Sequence, residues 1–271
     1  SFLYRSAFAI AEDIKAGRAS ARDAVEFFLS RIDAHNGALN AVVAMDPDAA
    51  RARAREADAA AARGEDWGPL HGVPVTIKDA YGTRDLPTVA GVPERAGKAT
   101  AENAVAVQRY LDAGAILLGK TNVPFMSADL QSYNAVYGTT NNPGATDRTC
   151  GGSSGGAAAA LAAGLTPLEL GSDIGGSIRT PSHFNGVYGH KTSHGLVSLL
   201  GHIPPAEGLL IEPDLSVAGP LATCVADLEQ ALDLLLGPAP AIAGPCASGP
   251  SLPAPRFREA GELRVAVWAA D

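Results

Sequence analysis

Residues 150–181 read CGGSSGGAAAALAAGLTPLELGSDIGGSIRTP, and this stretch places two serines, Ser153 and Ser177, inside glycine-flanked turns. Glycine permits positive φ angles and close backbone approach, so the N–H groups of such a turn can converge on one point. A hydroxyl nucleophile beside converged N–H donors is the arrangement that acyl transfer requires. A flexible Gly/Ser linker is the alternative. An alanine-rich helix and an apolar strand follow the first turn at once, which favours a site over a linker.

The composition argues against several classes of partner. The 271 residues carry a formal net charge of −8, whereas a nucleic-acid partner would require a basic face. The sequence has no uninterrupted run of about 18 apolar residues, so we expect no membrane partner. The first residues, SFLYRSAFAI, lack the features of a signal peptide, and we therefore expect a cytoplasmic protein.

The three cysteines, Cys150, Cys224 and Cys246, are widely spaced. This spacing fits neither a disulfide framework nor a metal site, so we expect free thiols and no metal. The glycine motifs of dinucleotide sites and of P-loops are missing at the strand–helix junctions, and we expect no cofactor. Cys150 could be taken for a nucleophile because it lies close to Ser153, but a small buried residue entering the turn is the favoured interpretation.

Apolar spacing and capping residues divide the chain into helices and strands. Helices are predicted over residues 6–17, 20–35, 46–64, 102–113, 156–164, 180–185 and 225–236. Strands are predicted over residues 40–45, 73–78, 115–120, 168–170 and 263–268. This alternation predicts an α/β fold in which helices cover both faces of a sheet.

A serine hydroxyl needs a base to become a nucleophile, and histidine is the usual one. His71 precedes the strand over 73–78, and His183, His190 and His194 follow Ser177 closely. The G-x-S-x-G motif of the α/β-hydrolases is missing, which argues against a Ser–His–Asp triad. A metal site formed by His190 and His194 is disfavoured, because the residues between them predict a turn and not a helix.

Lysine is the other candidate base. Lys78 ends the apolar run over 73–77, and burial would lower the pKa of its amine so that the neutral form can accept a proton. The alternative is an amine that reaches water or pairs with Asp79. Lys120 and Lys191 compete for the same role on similar grounds, and local sequence does not choose among the three.

Five motifs occur in the order found in the amidase signature family, and the chain resembles that family over nearly its whole length. They are HGVPVTIKDA at 71–80, GAILLGKTNVP at 114–124, GTTNNP at 138–143, GGSSGG at 151–156 and LGSDIGGSIRTPSHFNGVYGHK at 170–191. The resemblance implies a mixed β-sheet covered by helices on both faces. It also implies one domain over 1–271, with the C-terminal part of the family fold absent from this chain.

The resemblance further implies a Ser–cis-Ser–Lys triad. Lys78 would be the base, Ser153 the bridging serine after a cis peptide bond, and Ser177 the acylated nucleophile. The family spacing selects Ser153 over its neighbour Ser154. The backbone N–H groups of Ile174, Gly175, Gly176 and Ser177 would hold the oxyanion, and Asp173 and Arg179 would fix the shape of their turn. Pocket walls are expected from residues 125–137, which include Met126, Ser127, Tyr133 and Tyr137; Ser127 is expected to bind substrate.

The activity that the resemblance implies is hydrolysis of a small-molecule carboxylic amide, through an acyl-serine, to the acid and ammonia or an amine. Two alternatives stay open: a glutaminase-like subunit of an amidotransferase, and a noncatalytic remnant of the fold. Association as a homo-oligomer or with a missing C-terminal segment is expected.

Overall fold

The computed structural model describes residues 1–203, 213–237, 252–254, 256–257 and 259–266. Its main sheet has six strands in the order β1-β3-β2-β8-β10-β9. These strands are β1 (Val42–Met45), β2 (Pro74–Lys78), β3 (Ile116–Thr121), β8 (Leu168–Asp173), β9 (Tyr188–Gly189) and β10 (Val217–Ala222). Two small two-stranded sheets lie between β3 and β8 in the chain: β4 (Tyr133–Asn134) with β5 (Gly138–Thr139), and β6 (Asn141–Asn142) with β7 (Ala145–Thr149).

Seven α-helices accompany the sheet in the described part of the chain. They are α1 (Ala7–Lys15), α2 (Ala21–Leu39), α3 (Pro47–Ala62), α4 (Val105–Asp112), α5 (Gly155–Ala162), α6 (Arg179–Asn185) and α7 (Val225–Leu235). The first three begin where the sequence places capping residues: Ser6, Ser20 and Asp46 each accept a hydrogen bond from a backbone N–H in the first turn. None of the described helices is long and apolar enough to span a membrane.

The sheet is mixed. Strand β2 runs parallel to both of its neighbours, β3 and β8, whereas β1 and β10 are antiparallel to the strands they join. Since β2 and β8 are parallel neighbours, their carboxyl ends lie at the same edge of the sheet. This edge brings Lys78, at the end of β2, close to Ser172 and Asp173, at the end of β8.

Side chains of β2 alternate between two environments. Val75 and Ile77 join the main hydrophobic core, which also takes in buried residues of α1, α2, α3 and α5. Thr76 and Lys78 lie on the other face of the strand and are also fully buried. A smaller apolar cluster of Ala158, Leu161, Ile178 and Leu221 packs α5 against β10 and the start of α6. The prediction of a mixed sheet packed against helices is confirmed.

The predicted strands differ from the structure at several places: β4, β5, β6, β7, β9 and β10 are not among them, and one predicted strand does not form in its described part. Strand β10 contains Gly219 and Pro220, which disfavour a strand locally; its pairing with β8 forms it nevertheless. The predicted strand over 263–268 is wrong for its described part, Leu263–Ala266, which is exposed and irregular. A strand needs a partner for its backbone N–H and C=O groups, and these four residues pair with no described strand. Residues 267 and 268 lie outside the described residues.

Candidate active site

Lys78 is buried at the end of β2, with none of its surface exposed. Its Nζ lies 2.6 Å from Ser153 Oγ, at the start of α5. The same nitrogen lies 2.9 Å from Ser172 Oγ and 3.5 Å from the Ser172 carbonyl oxygen, at the end of β8. Three hydroxyl and carbonyl oxygens therefore surround the amine, and Ser153 Oγ is the closest of them.

Burial disfavours the ammonium form and lowers the pKa of Lys78 to about 7, against the attraction of Asp173 and Glu169. Glu169 opposes this less than a free carboxylate would, because burial raises its own pKa to about 8. A large fraction of the Lys78 amine is thus uncharged near neutral pH. An uncharged amine can accept a proton from a neighbouring hydroxyl, whereas an ammonium cannot.

The two serines of the GGSSGG turn have different hydrogen-bond partners. The peptide bond between Gly152 and Ser153 is cis, as the resemblance implied. Ser153 Oγ faces Lys78, whereas Ser154 Oγ donates to the backbone carbonyl of Ser172 at 3.2 Å. The Ser154 N–H donates to the carbonyl of Ser177 at 3.0 Å, which joins the two glycine-flanked turns directly.

Ser177 lies in a turn that the Asp173 carboxylate organises. Asp173 Oδ1 accepts from the Gly176 N–H at 2.9 Å, and Asp173 Oδ2 accepts from the Ile178 N–H at 2.9 Å. Arg179 adds two guanidinium hydrogen bonds, at 2.9 and 3.1 Å. Burial alone would raise the pKa of Asp173, but these donors outweigh it and lower the pKa to about 2. The carboxylate is therefore charged and shapes the turn.

The contacts of Asp173 leave only some of the backbone N–H groups expected for the oxyanion free to bind it. The Gly176 N–H is already bonded to Asp173. Among the described residues, the N–H groups of Ile174, Gly175 and Ser177 have no hydrogen-bond acceptor. The Ser177 hydroxyl likewise bonds to no other described residue, and Ser177 is 9% exposed. An open hydroxyl beside open N–H donors is what an acyl group would need to bind there.

The loop over 125–137 approaches the GGSSGG turn. Ser132, which sequence reasoning missed, receives the Gly155 N–H on its Oγ at 3.0 Å and lies 3.2 Å from the Gly151 carbonyl. Ser127 sits in a left-handed conformation with φ 57°, and its buried Oγ has no hydrogen-bond partner in the described structure. Of the two tyrosines expected in the pocket wall, Tyr133 is exposed. The hydrogen bonds of Tyr137 are made by its backbone: its carbonyl accepts from Asn40 Nδ2, and its N–H donates to Asn134 Oδ1.

The competing lysines have other partners. Lys120, also fully buried, donates to the Tyr81 carbonyl at 2.7 Å and to the hydroxyls of Thr83 and Thr88. Burial lowers its pKa to about 8, although Asp79 opposes the shift. Lys191 donates to the backbone carbonyl of Thr192. Neither amine contacts a serine hydroxyl of the glycine-flanked turns.

Histidines and cysteines form no alternative centre in the described part of the chain. His71 is buried between the Trp67 N–H and the Ala57 carbonyl, away from both turns. No group of three or more His, Cys, Asp or Glu side chains among the described residues could hold a metal ion. Cys150 is a buried free thiol whose pKa is raised to about 12, chiefly by burial, and Cys224 is also free. Cys246 lies outside the described residues.

Two residues near the Lys78 amine were missed by sequence reasoning. Ser172 lies within the motif LGSDIGGS, and its position two residues after the predicted strand residue Leu170 is the local signal that could have found it. His202, whose Nε2 lies 2.7 Å from Ser172 Oγ, comes from a distant loop. Nothing in its local sequence indicates that contact.

Comparison with known proteins identifies a family whose members match this chain over most of its length. The sequence profile described as Amidase matches residues 23–271. AtzE, which belongs to the 1-carboxybiuret hydrolase of Pseudomonas sp. (strain ADP), is 41% identical over 261 residues, covering 95% of this chain and 56% of that protein. A component of the glutamyl-tRNA(Gln) amidotransferase of Acidobacterium capsulatum is 39% identical over 246 residues, covering 91% of this chain and 50% of that protein.

A solved structure of similar fold is a bacterial aryl acylamidase of the amidase signature enzymes, with a TM-score of 0.79 at 32% identity. The match covers 87% of this chain and 48% of that one. The chain thus spans about half the length of the relatives it matches. A profile match over most of the chain, a mixed sheet of the same fold and the motifs that form the two turns place this chain in the amidase signature family.

Proposed function

We propose that this protein is an amidase that hydrolyses a carboxylic amide through an acyl-serine intermediate. The observation that carries the proposal is the 2.6 Å distance between the buried Lys78 amine and Ser153 Oγ. A buried amine that is partly uncharged at neutral pH, beside a serine hydroxyl, is a base adjacent to a proton donor, and such pairs activate hydroxyl nucleophiles.

In the proposed reaction, Lys78 is the base, Ser153 relays the proton and Ser177 is the nucleophile. For the attack the Ser177 hydroxyl, which bonds to no described residue in the structure, must turn to donate to Ser153 Oγ. Ser177 Oγ then attacks the amide carbon as its proton passes to Ser153 Oγ, whose own proton passes to Lys78 Nζ. The negative oxygen that forms is held by the N–H groups of Ile174, Gly175 and Ser177. The Gly176 N–H, expected to share this role, contributes through the shape of the turn instead, since it is bonded to Asp173.

The second half of the proposed reaction returns the proton. Lys78 gives it back through Ser153 to the amide nitrogen, the C–N bond breaks, and ammonia or an amine leaves. Water then attacks the acyl group on Ser177 by the same route, which releases the acid and restores the hydroxyl. Ser127 would bind substrate through its unpaired hydroxyl. The steps require no cofactor.

The proposal is tested by labelling with a fluorophosphonate, which reacts with an activated serine. We expect covalent label on Ser177, mapped by mass spectrometry of the peptide, and a fall of about 10²–10⁴-fold in labelling rate for Lys78→Ala. Lys191→Ala is the matched control and should label at the wild-type rate, because among the described residues the Lys191 amine donates only to a backbone carbonyl. Absence of label on Ser177 would favour a noncatalytic remnant of the fold.

A glutaminase-like subunit of an amidotransferase is the second candidate function. It is favoured by several relatives, 39–42% identical to this chain, whose names place them in glutamyl-tRNA(Gln) amidotransferases. Release of ammonia from simple aliphatic amides, aryl amides and glutamine distinguishes the candidates. An amidase hydrolyses simple amides without a partner protein, whereas a glutaminase subunit prefers glutamine and copurifies with a second polypeptide.

The remaining proposals concern the whole protein. We propose that residues 1–271 act as one domain, since the strands β1, β2, β3, β8 and β10 and the helices α1 to α5 and α7 contribute to one main core. Association with further polypeptide, or as a homo-oligomer, is tested by the mass of the purified protein. A cytoplasmic location is proposed on the buried thiol of Cys150, which forms no disulfide.

A further inference from the structure

The hydroxyl of Ser172 connects Lys78 to a histidine outside every motif of the two turns. Ser172 Oγ lies 2.9 Å from Lys78 Nζ and 2.7 Å from His202 Nε2. The three groups come from the end of β2, the end of β8 and a loop some way after β9. Ser172 is buried, so its hydroxyl has little access to water.

The direction of these hydrogen bonds follows from the number of protons available. An uncharged lysine amine has two N–H groups and one lone pair, and the lone pair must face Ser153 if Lys78 is to take its proton. An N–H of Lys78 then donates to Ser172 Oγ. The Ser172 hydroxyl hydrogen must find another acceptor, and His202 Nε2 is within hydrogen-bond distance.

His202 is held in position to be that acceptor. Its ring packs edge-on against Tyr81, with the ring centroids 4.8 Å apart, and the Tyr81 hydroxyl is anchored to the Gly171 carbonyl at 2.7 Å. The backbone N–H of His202 donates to the Leu199 carbonyl, which fixes the backbone. Burial, followed by the charge of Lys78, lowers the pKa of His202 to about 3, so its imidazole is neutral. In the tautomer that carries its proton on Nδ1, the Nε2 lone pair faces the Ser172 hydroxyl.

We infer that His202 is a positioning residue for the reaction: by accepting the Ser172 hydroxyl, it keeps that hydroxyl from donating to Lys78 and leaves the lysine lone pair free for Ser153. The inference rests on the proposed function, since it assigns a role in activating Lys78. Without an acceptor at position 202, the Ser172 hydroxyl would turn to the Lys78 lone pair and compete with Ser153 for it.

The test is a double-mutant cycle on the rate of fluorophosphonate labelling at Ser177. It is measured at about pH 9, where the Lys78 amine is uncharged. We expect His202→Leu, which removes the acceptor, to slow labelling about tenfold, the size expected for one lost hydrogen bond. His202→Gln keeps an acceptor on a side chain of similar size and should retain most of the wild-type rate. In a Ser172→Ala background, His202→Leu should have no further effect, because the competing hydroxyl is gone.

Three outcomes would overturn the inference. They are a wild-type labelling rate in His202→Leu, equal losses in His202→Leu and His202→Gln, and a His202→Leu effect that persists in full without the Ser172 hydroxyl. The last two would indicate a packing role only. Failure of the wild-type protein to label at Ser177 is a different result, which contradicts the proposed function itself.

Discussion

Two buried lysines, Lys78 and Lys120, end neighbouring strands, and their partners give them different roles. Lys120 donates to the Tyr81 carbonyl and to the hydroxyls of Thr83 and Thr88, and it lies 3.7 Å from the Asp79 carboxylate. Both threonine hydroxyls already donate their own hydrogens to backbone carbonyls, so the Lys120 amine holds the loop after β2 and has no proton donor among the described residues. Lys78 faces two serine hydroxyls, which can donate as well as accept. A base needs partners that can give it a proton, and only Lys78 of the two has them in reach of a glycine-flanked turn.

The pKa of Lys78 predicts how labelling depends on pH. Burial lowers this pKa to about 7, and only the uncharged amine can accept a proton. The rate of Ser177 labelling should therefore rise about tenfold per pH unit below the pKa and become flat above it. The labelling rate, measured from reactions stopped at fixed times at a series of pH values, gives this profile. A rate that stays constant from acidic to alkaline pH, on both sides of that pKa, would contradict an ionising base at position 78.

Two serines of the loop over 125–137 should respond differently to removal of the hydroxyl. Ser132→Ala removes the acceptor of the buried Gly155 N–H, so we expect a loss of about 1–3 kcal/mol in the free energy of unfolding. Ser127→Ala removes a hydroxyl that has no hydrogen-bond partner in the described part of the chain, so it should leave stability nearly unchanged while raising KM for an amide substrate. Urea denaturation and steady-state kinetics of both variants check this contrast; an unchanged KM in Ser127→Ala argues against substrate binding there.

At the scale of elements, helix α5 shows how packing overrides helix propensity. Its sequence GGAAAALA begins with two glycines, which are poor helix formers. A Cβ at Gly156 would lie 2.3 Å from the backbone nitrogen of Asn122, so the glycine permits α5 to approach the loop after β3. This close approach sets the start of α5, and with it Ser153, against the carboxyl end of β2.

Substitution of glycine by alanine should therefore have opposite effects in two helices. Gly156→Ala is expected to destabilise the fold by about 3 kcal/mol or more, since the backbone must move to accept the methyl group. Gly37→Ala, in the C-terminal half of α2, meets no atom within 4 Å and should stabilise by up to about 1 kcal/mol. Thermal unfolding of both variants gives the comparison. Equal effects at the two positions would mean that propensity alone governs them.

At the scale of the whole molecule, one buried carboxylate joins distant parts of the chain. Asp227 in α7 is fully buried; its Oδ1 accepts from the Ser6 hydroxyl at 2.5 Å and its Oδ2 from the Ala7 N–H at 2.9 Å. These contacts fasten the first turn of α1 to α7 across more than two hundred residues of sequence.

Loss of that carboxylate should affect global unfolding. Asp227→Ala leaves the Ala7 N–H without its acceptor, and we expect the free energy of unfolding to fall by about 1–3 kcal/mol. Asp233→Ala, an exposed position on the same helix, is the control and should change stability by less than about 0.5 kcal/mol. Urea denaturation measures both. A loss of similar size in the two variants would show that helix α7, and not its link to α1, is responsible.

Sequence reasoning located most elements because their signals are local. The caps at Ser20 and Asp46, and the apolar runs that became β2 and β3, depend on neighbours in the chain, so they can be recognised without the fold. Strand β10 depends instead on its pairing with β8, which overcomes the local preference of Gly219 and Pro220, and no local signal indicates it.

The sequence by itself determined which side chains could do chemistry: two serines in glycine-flanked turns and a lysine after an apolar run. Local pattern left Lys78 and Lys120 equal, because each ends a buried strand. The motif resemblance favours Lys78, and the tertiary structure gives the physical reason, since the place of β2 between β3 and β8 brings Lys78 to Ser153 and Ser172. The register of a sheet and the approach of a distant loop such as that of His202 arise from contacts between residues far apart in sequence, and such contacts leave no trace in local spacing.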